Sequence, residues 1–110
     1  KFIDSARKSQ IAPATTHTLT HLRPICSPGS PLAPEGFQWV YEKVSFTVHL
    51  ASISGGPDIC ACFAGGDPTS SVYAGEIQRA CLGMATDVLA DPGFSLEKNF
   101  MGTILDILIN

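Results

Sequence analysis

The chain has 110 residues, 45% of them apolar and 15% charged, with a formal net charge of −3. That balance excludes wholesale disorder, which needs few apolar residues and much charge, and it excludes a basic nucleic-acid binder. No stretch approaches the roughly 18 to 20 uninterrupted apolar residues that span a membrane.

Residues 1–36 carry Lys1, Arg7, Lys8 and Arg23 against Asp4 and Glu35, and they hold Pro13, Pro24, Pro28, Pro31 and Pro34. They have no sustained helical or strand period. They read as an extended Pro-rich arm that lies on a domain or frays from it, with residues 37–110 as a compact α/β domain. Lys1 is neither a methionine nor the start of an apolar leader, so the chain reads as a mature, processed or trimmed product. Within the arm, His17 and His21 have the i, i+4 spacing that pairs imidazoles on a helix, and Cys26 follows. The spacing fits no standard zinc finger and the helix signals are poor. Two surface histidines and no metal are expected.

From Phe37 the pattern sharpens. Val40, Val44, Phe46, Val48 and Leu50 share one parity, and Lys43, Ser45, Thr47 and His49 the other, which is the signature of a half-buried strand. Phe37, Trp39 and Tyr41 lie on the parity opposite Val44 and Phe46. This aromatic stripe is either packed under the arm or exposed as a binding patch, and it is the candidate recognition surface. Ser54-Gly55-Gly56-Pro57-Asp58 is turn chemistry, and Ile59 to Ala64 is a second short β-type run. Together these segments predict an antiparallel hairpin.

Gly65-Gly66-Asp67-Pro68 breaks the chain, and a helix is predicted next, capped by Asp67, Ser70 or Ser71. Its apolar stripe is Ile77, Cys81, Met84, Ala85 and Val88, and Asp91-Pro92-Gly93 ends it. The last segment has two readings. Leu96, Phe100, Met101, Ile104, Leu105 and Leu108 fit a second amphipathic helix, while Thr103 to Ile109 fits a buried strand. The fold class expected is α+β: a two-layer sandwich of a small antiparallel sheet with one or two helices on one face. Val44, Phe46, Val48, Ile77, Cys81, Met84 and Val88 form its expected core.

Cys26, Cys60, Cys62 and Cys81 are an even number in a short chain, which favours two disulfides and an oxidising compartment. Cys60 and Cys62, two apart on a strand, face the same way and do not bond each other. One bridge then joins Cys81 to Cys60 or Cys62, and the other joins Cys26 to the remaining member. Nothing resembles a catalytic serine elbow, and the glycine pairs lack the lysine of a phosphate loop. No catalytic residue and no cofactor are expected.

Cys60-Ala61-Cys62, a Gly-rich turn, and a helix carrying Gln78-Arg79-Ala80-Cys81 resemble a stretch of the smut-fungus killer toxins and related secreted effectors of plant-pathogenic fungi. The resemblance implies a compact α/β sandwich that is secreted, disulfide-bonded and not an enzyme. The function expected on this basis is a toxin-like or virulence effector that binds a protein target in a host or competitor cell. The alternative is a small ligand-binding or enzymatic domain, or one chain of a processed precursor.

Overall fold

The computed structural model describes residues 2–87, together with the backbone of Leu89–Ala90 and Phe94–Ser95. Among the described residues, helices run over Phe2–Lys8 (α1), Pro13–Thr16 (α2) and Pro34–Lys43 (α3). The strands are Pro24–Ser27 (β1), His49–Ser52 (β2), Ser54–Gly56 (β3), Ala61–Gly65 (β4), Arg79–Ala80 (β5), Leu89–Ala90 (β6) and Phe94–Ser95 (β7). The α+β class holds. The single antiparallel sheet does not: three small sheets form, and the one beneath the core is parallel.

The largest correction is α3. Residues 37–43 form a helix, not a strand, because the local signals for a helix agree. Pro34 occupies the first turn, where its missing N–H costs nothing. Glu35 and Lys43 sit at the ends that suit the helix dipole. Gln38 Nε2 donates to Glu42 Oε1 at 2.8 Å, an i, i+4 bond along the outer face. Phe37, Val40, Tyr41 and Val44 then form a helical stripe, spaced i, i+3, i+4 and i+7. The boundary drawn between residues 36 and 37 falls inside this helix. Strand geometry begins only at His49.

β1, α3 and β2 make a β-α-β unit. β1 and β2 are parallel, with Pro24 opposite His49 and Ser27 opposite Ser52, and α3 is the crossover. Phe37, Val40 and Leu50 are fully buried between them, joined by Val48, Trp39, Leu32 and, from α1, Ala6. Residues 1–36 thus supply part of the core. Of the expected core, Val48 is buried and Val44 packs partly against it, but Phe46 is 84% exposed in the turn after α3.

The hairpin forms in a shifted position. β3 and β4 are antiparallel with an irregularity at Ser54/Gly55, and Pro57–Cys60 is the turn. β4 also pairs with β5, placing Gly65 opposite Arg79. Residues 79–80, expected in a helix, therefore belong to a strand. Gly75 and Gly83 flank this segment at φ 88° and 80°, left-handed conformations that no helix interior contains. Ile77, Met84 and Cys81 are only half-buried there. Val88 and the two readings of the C-terminal segment, Leu96 to Leu108 and Thr103 to Ile109, lie outside the described residues. No helix among the described residues is long and apolar enough to cross a membrane.

All four cysteines are free thiols. Cys60 is not on a strand but in the turn, at φ 49°, with its thiol donating to the Pro57 carbonyl at 3.2 Å. Cys81 N–H donates to Phe63 O at 2.9 Å, which puts Cys81 opposite Phe63. By the period of two, Cys62 then projects from the other face of β4. Cys26 lies on β1, in a different sheet.

Candidate functional site

In a parallel strand pair both chains leave at the same edge, and ligands bind in the crevice outside those carboxyl ends. Here β1 ends at Ser27 and β2 at Ser52, and Ile53 N–H donates to Ser27 O at 3.1 Å to close the pair. A loop of small residues, Pro28-Gly29-Ser30, follows β1, and the short strand β3, Ser54-Gly55-Gly56, follows β2. Gly29 turns the loop at φ 93°. Such loops let backbone amides and short hydroxyls approach a ligand closely. A cavity of about 250 Å³ borders the loop, lined in part by Ile3, Cys26, Ser27, Pro28, Ser30 and Leu32. Besides apolar groups and hydroxyls, the lining holds the Asp4 carboxylate and the Cys26 thiol.

The strongest electrostatic feature lies at the opposite end of β2. Asp67 is buried, its carboxylate accepting from the Thr69 hydroxyl at 2.7 Å, the Thr69 N–H at 2.9 Å and the Arg79 guanidinium at 2.9 Å. Those Thr69 bonds, and then Arg79, hold its carboxyl well below the usual carboxylate range. Gln78 ties the loop to the sheet. Its Nε2 donates to the carbonyls of Asp67 at 3.0 Å, Ser70 at 3.0 Å and Ser71 at 3.2 Å. Its Oε1 accepts from Asp67 N–H at 2.9 Å and lies 2.8 Å from His49 Nε2. Three carbonyls around Nε2 fix which way the amide points, so His49 carries its proton on Nε2. An open cavity of about 290 Å³ beside this loop is lined by Ser70, Ser71, Tyr73, Glu76 and Gln78.

The residues singled out from the sequence fare unevenly. Phe37 and Trp39 are buried and Tyr41 half-buried, so the aromatic stripe is wrapped around α3 and packed rather than presented. His17 and His21 stand in exposed segments, and no group of three metal-ligating side chains occurs among the described residues. His49, placed on the parity of Lys43, Ser45 and Thr47, is half-buried against Gln78. The sequence reading missed the Ser27–Ser30 loop, Asp67 and Gln78. The signal for the loop was present: an apolar pair of residues, Ser-Pro-Gly-Ser, then a proline opening a helix.

No family model matches the chain. Its curated relatives are acyl-CoA synthetases. It is 54% identical over 93 residues to the acetoacetyl-coenzyme A synthetase of Rhizobium meliloti strain 1021, a match covering 84% of this chain and 14% of that protein. It is 44% identical over 80 residues to a malonamoyl-CoA synthetase of Penicillium aethiopicum, covering 73% of this chain and 11% of that one. Among solved structures, the acetoacetyl-CoA synthetase of Streptomyces lividans aligns with a TM-score of 0.73 at 34% identity, over 86% of this chain and 15% of that chain. The chain thus spans about one-seventh of the length of these synthetases. These matches overturn the resemblance to fungal killer toxins; Cys60 of its Cys-x-Cys lies in a turn, and Arg79-Ala80, expected in its helix, form a strand on β4. With it go the non-enzymatic virulence effector, the protein target in a host or competitor, and secretion, which rested on that resemblance; the cysteines expected in disulfides are free thiols.

Proposed function

We propose that this chain forms one segment of the catalytic body of an acyl-CoA synthetase of the acetoacetyl-CoA synthetase type. The single observation that carries this reading is the 54% identity to the Rhizobium meliloti synthetase across 84% of the chain. The reaction forms a C–S bond between the acid's carboxyl carbon and the thiol of coenzyme A as a C–O bond of that carboxyl breaks, its oxygen leaving on a phosphate-bearing group drawn from a nucleoside triphosphate. The role of this segment is to hold substrate: the Pro28–Ser30 loop, with Ser27 at the end of β1, offers hydroxyls and backbone amides at the carboxyl edge of the parallel pair. The substrate class is a short acid with a carbonyl at C3. Acetoacetyl and malonamoyl, the acyl groups in the relatives' names, share that feature and differ beyond it.

The test is a graft. The matched 93 residues of the Rhizobium enzyme are replaced by those of this chain and thioester formation is followed with acetoacetate and with butanoate. Turnover of acetoacetate within about tenfold of the parent, with butanoate poorer, is expected. A graft that folds like the parent yet forms no acetoacetyl-CoA sinks the reading, and equal use of the two acids removes the C3-carbonyl class.

A further inference from the structure

We infer that Gln78 is a positioning residue for the candidate site. Its side-chain amide pins the base of the excursion through β2, β3 and β4, and so sets where that hairpin stands against the crevice at Ser27–Ser30. The bearing on turnover rests on the proposed function.

The amide joins two segments that are distant in the chain. Its Oε1 lies 2.8 Å from Nε2 of His49, the first residue of β2. The same oxygen accepts from Asp67 N–H at 2.9 Å, just past the end of β4, and Nε2 returns a bond to the Asp67 carbonyl at 3.0 Å. Residues 50–66 therefore leave from and return to one side chain. They hold most of β2, then β3, the Pro57–Cys60 turn and β4. Gly66 completes the closure. A Cβ there would lie 2.7 Å from Ala51 Cβ and 2.9 Å from His49 Cε1. Its bare Cα lets the chain after β4 settle on the face of β2 that carries those two residues.

Backbone pairing alone holds the hairpin loosely. β3 meets β4 only at Ser54, Gly55 and Gly56, with an irregularity between the first two, and β4 meets β5 at Ala64 and Gly65. Ladders this short are marginal, and an irregularity lets a strand bend. The clamp at His49 stands at one end of β2. At the other end Ser52 faces Ser27 across the parallel pair, at the mouth of the crevice. Ile53 N–H donates to Ser27 O at 3.1 Å, and the hairpin departs from that point. A shift of about 1 Å in a substrate-holding group can cost roughly 100-fold in rate, even when its cause lies far from the chemistry. The Asp67 carboxylate plays a separate part. It accepts from Thr69 and Arg79 and steadies the loop without reaching β2, which makes Thr69 the control.

Two readouts test the role. In the 110-residue chain carrying Cys62→Ser and Cys81→Ser, spin labels on the exposed Cys26 and Cys60 report the distance from β1 to the hairpin's turn. That distribution should broaden with Gln78→Ala or His49→Ala and stay as narrow as the parent's with Thr69→Val. The second readout is kcat/KM for acetoacetate in the graft, taken below the melting temperature of each variant. Gln78→Glu keeps an acceptor for Asp67 N–H but loses the donor. Relative to the parent it should lose about tenfold or more near pH 8. It should recover toward about pH 6, where the introduced carboxyl, faced by carbonyl oxygens, holds a proton and donates again. Gln78→Ala should lose as much without recovery, Thr69→Val should stay within about twofold, and adding His49→Ala to Gln78→Ala should cost nothing further.

An unbroadened distance in Gln78→Ala overturns the positioning role. So does parent-like kcat/KM in that variant, or a Gln78→Glu loss that is flat with pH or matched by Thr69→Val, the mark of a side chain that only stabilises. Broadening in the chain beside a graft that forms no acetoacetyl-CoA upholds the clamp and sinks the proposed function. If the Gln78 variants do not fold, His49→Ala alone is read by the same two measurements, and a parent-like result in either overturns the inference. If the labelled chain holds no single distance at the outset, the kinetic outcomes decide.

Discussion

Asp67 links burial to pH. Its carboxyl is depressed in the fold by the Thr69 hydroxyl and amide and by Arg79, while an unfolded aspartate titrates near about 3.9. The fold therefore binds fewer protons than the unfolded chain through the acid range. The stability this gives is fully present above about pH 4 and is lost as the pH falls toward the folded value. Urea midpoints between about pH 5 and pH 2 should fall steeply for the parent and more gently for Asp67→Asn. Equal slopes would mean that the Thr69 and Arg79 contacts do not survive in solution. Gln78 gives the companion prediction. Gln78→Ala removes the partner of Asp67 N–H and of three carbonyls, and orphaned groups of this kind cost roughly 1–3 kcal/mol in all where they are half-buried. A variant within about 0.5 kcal/mol of the parent would show that water replaces the amide at no cost.

Among the elements, α3 decides where the core lies. Phe37→Ala should cost about 3–5 kcal/mol, since its ring is 2% exposed between α3 and the parallel pair. Phe46→Ala should cost less than about 0.5 kcal/mol, because the ring is 84% exposed. Trp39→Ala belongs with Phe37, not with a binding surface. Thermal denaturation of the three variants separates a helical from a strand reading of residues 37–46, since a strand would reverse the order of Phe37 and Phe46. The β3–β4 hairpin has a similar internal control. A Cβ at Gly55 would run into the Ala61 carbonyl and the Cys62 backbone, whereas one at Gly56 meets nothing within 4 Å. Gly55→Ala should therefore lose roughly 1–3 kcal/mol and Gly56→Ala about 0.5 or less. Comparable losses at both positions would contradict the register of that hairpin.

For the molecule as a whole, the free thiols set its behaviour under oxidation and reduction. Four equivalents of a thiol reagent should react in denaturant, and reduction should leave the melting temperature unchanged. Cys26 and Cys60 are exposed and should label first. Burial, and secondarily Cys62 nearby, push the Cys81 thiol up, so it should label last at neutral pH. A mass map showing any native disulfide would restore the oxidised picture. The same scale holds the proposed activity. The chain spans about one-seventh of its relatives' length, so the proposed activity is read only in the length of chain that they possess.

The sequence by itself determined the α+β class, a turn through Pro57 and Asp58 and the absence of a long apolar helix among the described residues. These follow from local chemistry: glycine and proline geometry and run length. Tertiary structure decided the rest. Residues 37–50 satisfy both periods, since Val40, Val44, Phe46 and Val48 alternate while Phe37, Val40, Tyr41 and Val44 repeat at helical spacing. A short apolar run is compatible with either until its partners are known, and here the parallel pair that needed a crossover helix chose. The stripe from Ile77 to Met84 met the opposite fate, because β4 offered β5 a ladder and Gly75 and Gly83 denied it a helix. An even cysteine count says nothing about which faces the thiols occupy. The Pro57–Cys60 turn places Cys60, the separate parallel pair places Cys26, and the β4–β5 ladder places Cys62 and Cys81.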